Sequence, residues 1–121
     1  MARRPPAPSI AAPLPGRRVR GSATGRPVMA ALDLLGRRWT LRILWELREA
    51  ALTFRALQAA CGGLSPSVLQ DRLAELAEAK LIGHDGTNGY ALTPLARRLM
   101  PALLMLDSWA AEWTEALRRG R

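Results

Sequence analysis

LSPSVLQDRLAEL, residues 64–76, decides the fold of this chain. Ser65 followed by Pro66 marks a helix start. The serine oxygen can accept from an N–H left open in the first turn, and proline fits the first helical position, where its missing donor costs nothing. From there Leu69, Leu73 and Leu76 recur at i, i+4 and i+7, a stripe that faces a core. The outward face carries Ser67, Gln70, Asp71 and Glu75 beside one arginine, Arg72. Just upstream, RALQAACGG predicts a shorter helix carrying Leu57 and stopping at Gly62 and Gly63. Two consecutive helices joined by a glycine turn make a helix-turn-helix pair.

Downstream, LIGH and YALT flank DGTNG as two strands flank a hairpin turn, which predicts a wing. Thr93 and Pro94 repeat the cap-and-proline signal, and the pattern is then helical to about Leu117, with Pro101 expected to kink or reset it. Upstream, VMAALDLLG places Val28, Ala31, Leu32 and Leu35 on one helical face before Gly36. RRWTLRILWELREA predicts a second, largely buried helix with Thr40 as its cap and Leu41, Ile43, Leu44, Trp45 and Leu47 on its apolar side. ALTF is consistent with a small edge strand. The fold class expected is mainly α with a small β-hairpin: a winged helix-turn-helix domain with extra N- and C-terminal helices. In that arrangement the second helix of the pair enters the major groove and the hairpin touches the neighbouring backbone or minor groove.

The totals bound the rest. A chain of 121 residues, 49% hydrophobic, supports one core. Residues 1–25 hold five of the nine prolines and few large apolar side chains, so the expectation is a disordered basic Pro/Arg-rich tail, with residues 26–121 as the DNA-binding and dimerisation domain. The net charge of +8 is uneven: residues 1–26 contain six arginines and no acid, while residues 27–121 have 12 basic and 10 acidic side chains. High charge therefore says little about the folded part, although the tail's arginines suit phosphate. No apolar run approaches a membrane span and the N-terminus lacks a leader's continuous apolar stretch, so a cytoplasmic place is expected. With one cysteine, Cys61, and one histidine, His84, neither an internal disulfide nor a Cys/His zinc site can form, and no cofactor is expected.

The motifs ALDLLGRRWTLRILWEL, TFRALQ, LSPSVLQDRLAELAEAKLI and YALTPLARRLMP, spread over about residues 27–113, resemble the HxlR family of winged helix-turn-helix transcriptional regulators. The resemblance implies a homodimer, paired through the first and last helices, on an inverted-repeat operator of double-stranded DNA. Three departures stand out. Arg26 occupies the place where family members usually have a cysteine before the first helix, which excludes thiol sensing there. The wing, GHDGTNG, is short and not basic. Ser67 stands where a basic residue is common.

Candidate contacts follow. Arg37, Arg38 and Thr40, at the start of the second helix, suit a phosphate; Arg55 is a weaker candidate. Ser65 and Pro66 set the helix, and Ser67, Gln70, Asp71 and Arg72 are candidates for base edges or phosphate: glutamine pairs with adenine, arginine with guanine, and a carboxylate accepts from cytosine N4. Glu75 and Glu78 lie further along, where such a helix leaves the groove. His84, Thr87 and Asn88 mark the wing. Leu95, Leu99, Leu103, Leu106, Ala110 and Trp113 run down the last helix; Leu32, Leu35, Leu99, Leu103, Leu106, Trp109 and Trp113 are the expected dimer interface. The four tryptophans fit core better than a ligand pocket, and Cys61 fits a small buried residue. No nucleophile-base or carboxylate pair has supporting context, so an enzyme is not expected. The alternative to a regulator, which could also take a small-molecule effector, is a winged helix used only for protein interaction.

Overall fold

The computed structural model describes residues 12–87 and 89–120. Along the chain run α1 (Pro27–Leu35), α2 (Thr40–Glu46), β1 (Leu52–Thr53), α3 (Phe54–Ala60), α4 (Pro66–Glu78), β2 (Ile82–His84), β3 (Gly89–Leu92), α5 (Pro94–Arg97) and α6 (Met100–Arg119). The protein is mainly helical, with a winged helix-turn-helix at its centre.

The helix starts follow the sequence signals. Thr53, Ser65 and Thr93 each cap a helix, their side-chain oxygens accepting from the N–H groups of Ala56, Val68 and Ala96. Gly62 and Gly63 both lie at φ +81°, the left-handed region that lets the chain turn sharply between α3 and α4. Pro101 falls in the first turn of α6, so the last helical stretch is reset into α5 and α6 rather than continuous. The sheet is antiparallel in the order β1-β3-β2, with Leu52 opposite Tyr90 and Ile82 opposite Leu92. ALTF thus supplies a short edge strand and the start of α3.

Ile43, Leu44, Leu47, Leu57, Leu69 and Leu76 are fully buried at the centre of the core, and Leu73, Ile82, Leu92, Ala96 and Leu103 complete it. Thr40 does not cap α2. Trp39 holds that position at φ 78° with no side-chain cap, and Thr40 is already helical and buried, its Oγ1 without a hydrogen-bond partner among the described residues. A bulky residue in the left-handed region is strained; here the Trp39 ring packs against the core and carries the Arg38 guanidinium 5.8 Å from its centroid.

Where composition predicts disorder through residue 25, residues 12–25 fold onto the domain. Ala12 and Val19 are buried, Val19 bridges to Ser22, and the Gly16 N–H donates to the Gly25 carbonyl. The Glu78 carboxylate anchors the segment, accepting from the Ala12 N–H at 3.0 Å and the Arg17 guanidinium at 2.9 Å. Specific polar ties thus replace the apolar area the composition lacks. Residues 1–11, the remainder of the expected tail, lie outside the described residues.

Candidate nucleic-acid interface

The face of α4 opposite its leucine stripe is a row of short polar side chains. Ser65, Pro66, Ser67 and Gln70 are exposed and Asp71 is half-buried. Capping by Ser65 fixes the helix start, so Ser67 and Gln70 project from its first two turns. Arg55, in the first turn of α3, is exposed, and so is Arg38 on the α1–α2 turn.

Other expected contacts are committed elsewhere. Thr40 is buried and offers no surface to a phosphate. Arg72 donates through Nε to the Arg38 carbonyl at 2.9 Å and through Nη1 to Glu75 at 2.9 Å. Arg37 donates to the other oxygen of the same carboxylate. Glu75, placed on the outward face by its spacing, is instead 1% exposed and neutralised by two arginines from different parts of the chain. The reason is positional: Arg72 and Glu75 share the α4 flank against which the α1–α2 turn packs. This cluster pins α4 to that turn, and only its Arg72–Glu75 half, at i, i+3, has a signal in the sequence.

The wing tip is closed on itself. Asp85 accepts from the Thr87 hydroxyl at 2.7 Å, the Thr87 N–H at 2.9 Å and the Gly89 N–H at 3.1 Å. The Thr87 side chain and then its N–H hold the Asp85 carboxyl below its ordinary pKa. The wing therefore presents a fixed negative charge and little to attract a phosphate. His84 is exposed, its ring 4.8 Å from that of Tyr90, and Asn88 lies outside the described residues.

The expected dimer residues divide in the same way. Leu103 is buried in the core of its own chain, while Leu35 and Leu99 are partly buried against it. Leu32, Leu106, Trp109 and Trp113 are exposed, and the last two stack with centroids 5.5 Å apart. A core position thus holds for Trp39 and Trp45, which pack on the core, but not for Trp109 and Trp113. Cys61 is buried, and burial raises its thiol pKa, opposite to what a reactive thiolate needs. Among the described residues no helix is long and apolar enough to cross a membrane.

Residues 34–118 match the profile of the HxlR-like helix-turn-helix family. An HTH-type transcriptional regulator of Bacillus subtilis, YvaP, is 32% identical over 91 residues, covering 70% of this chain and 84% of that protein. Another HTH-type regulator, from Methanocaldococcus jannaschii, is 30% identical over 92 residues, covering 73% and 86%. Among solved structures, a MarR-family regulator from Enterococcus faecalis V583 superposes with a TM-score of 0.67 at 28% identity, over 76% of this chain and 89% of that one. The quinone-bound YodB from B. subtilis gives 0.65 at 25%, over 70% and 94%. Its winged helix-turn-helix and a family match spanning most of the chain place the protein in the HxlR-like helix-turn-helix family of transcriptional regulators.

Proposed function

We propose that the protein binds an inverted-repeat operator as a homodimer, with the N-terminal half of α4 in the major groove. The observation that carries this reading is the division of α4: Leu69, Leu73 and Leu76 are spent in the core, and Ser67 and Gln70 stand exposed at its capped end. Gln70 reads adenine, Asp71 accepts from cytosine N4, and Ser67 takes a base edge or phosphate. Arg38 and Arg55, both exposed, contact the backbone and set the register. Given its closed, negatively charged tip, the wing contributes little. Two-fold symmetry comes from α1 and α6, whose exposed apolar side chains include Leu32, Leu106, Trp109 and Trp113. A cytoplasmic place follows from this reading.

Selection of duplexes from a random pool, with the full chain and with a chain lacking residues 1–11, tests the proposal. A palindromic site recovered by both is expected. Sequence-independent binding that disappears with residues 1–11 defeats the operator reading and favours the protein-interaction alternative, for which the negatively charged wing speaks. Asp71→Ala changes base preference at one position of each half-site by about 1–3 kcal/mol. Glu78→Ala leaves it unchanged; equal effects from both mean that α4 is not inserted this way.

A further inference from the structure

A cleft of ≈ 520 Å³ opens between the N-terminal segment, α1 with the α1–α2 turn, and the flank of α4, and neither Ser67 nor Gln70 lines it. Four arginines from these three elements line it, Arg20, Arg37, Arg38 and Arg72, and Asp33 is the one carboxylate in its wall. The Asp33 carboxylate already accepts from the Arg20 backbone N–H at 3.0 Å. Arg37 and Arg72 share Glu75, which leaves the guanidinium groups of Arg20 and Arg38 without a carboxylate partner among the described residues. Guanidinium groups gathered along one cleft repel one another, and an anion placed among them can receive several forked N–H donors at once. Met29 and Leu32 form an apolar part of the wall, and the volume falls in the range of small-molecule sites, roughly 300–1,000 Å³.

We propose that this cleft binds a small anion of two or more charges, a phosphate or a di- or tricarboxylate, with any apolar portion against Met29 and Leu32. The site reaches the reading helix directly, because Arg72 belongs to α4 and its Nε–H is bonded to the Arg38 carbonyl. An occupant therefore joins the N-terminal segment, the turn and α4 into one unit.

The test is thermal unfolding and isothermal calorimetry of the full chain without DNA, titrated with inorganic pyrophosphate and, separately, with citrate at constant ionic strength. A saturable heat of binding, with a rise in Tm of roughly 5 °C at tenfold excess over Kd, is expected with at least one of them. The double variant Arg20→Ala/Arg38→Ala removes two exposed side chains, keeps the unliganded Tm and binds at least tenfold more weakly. Arg20→Ala alone, which truncates one exposed side chain, gives an intermediate loss and serves if the double variant is unstable. No saturable effect with either anion overturns the proposal, as does unchanged affinity in these variants, which retain Arg3, Arg4, Arg17, Arg18 and Arg26. Loss of duplex affinity in the double variant, with no small anion bound by the parent chain, identifies the arginines as DNA backbone contacts and also overturns it. Because the titration contains no DNA, its failure is separable from failure of the operator reading.

Discussion

α4 and α6 are both amphipathic helices with leucine stripes at spacings of three and four, yet the chain treats them oppositely. In 13 residues α4 buries Leu69, Leu73, Glu75 and Leu76; in 20 residues α6 buries only Leu103. Every described residue beyond Ala110 is exposed, and Met105 and the Trp109–Trp113 pair stand 74%, 53% and 53% exposed. This 20-residue helix is about 30 Å long, and past Leu103 none of its residues is buried. The same periodicity therefore means core packing where the sheet and two helices close over it, and an unfilled face where the chain runs past its own core. The second case is what motivates a second copy as the partner of α6.

The largest expected effect tests the α4 side. Leu69→Ala removes a fully buried side chain from the middle of the core and costs about 2–5 kcal/mol, seen as a fall in Tm that is independent of protein concentration. Next is the buried charge. Glu75→Ala strands Arg37 and Arg72, but both guanidinium groups are partly exposed and regain water, so the loss is about 2 kcal/mol rather than the larger cost of a sealed pair. On the α6 side, the proposed homodimer predicts that Trp113→Ala weakens self-association by about 1–2 kcal/mol and leaves the monomer's stability nearly unchanged. Light scattering across micromolar concentrations separates these outcomes. A concentration-independent Tm loss in Trp113→Ala as large as that in Leu69→Ala would break the contrast, because the distal half of α6 would then be packed within one chain.

How much of this was legible in the sequence varies with the range of the interactions. Ser65-Pro66, Thr93-Pro94, the Gly62-Gly63 turn and the DGTNG hairpin act within a few residues, and all stand where the local signals put them. The leucine stripe of α4 was equally plain. Helical spacing gives each side chain a direction but not what stands opposite it. Glu75 therefore reads as an exposed acid, since the α1–α2 turn that covers it lies 38 residues away along the chain at Arg37. Thr40 looked like a cap because threonine before an apolar run is a good one; the left-handed Trp39 took the position and turned Thr40 inward. Residues 12–25 read as part of a disordered tail for a related reason. Composition counts apolar area, whereas this segment is held by Glu78 and by glycine turns.

Glu78 gives the smallest expected effect and the sharpest distinction between the two helices. Its carboxylate on α4 makes long-range bonds to Ala12 and Arg17, whereas the one ion pair described within α6, Arg118 with Glu115, is local, exposed and 3.9 Å long. The Ala12 N–H, then Arg17, hold the Glu78 carboxyl below its ordinary value of 4.5. A lowered folded-state pKa gives a contribution that is present above the unfolded-state value and lost as pH falls through the folded one. The tie between residues 12–17 and α4 should thus weaken below about pH 4.5, and its exposure keeps the effect on global stability small. An NMR titration following the Ala12 amide proton is expected to show a single step below that pH, absent in Glu78→Gln and unchanged in Glu115→Gln. A step that survives in Glu78→Gln would mean that the N-terminal segment is held by something other than α4.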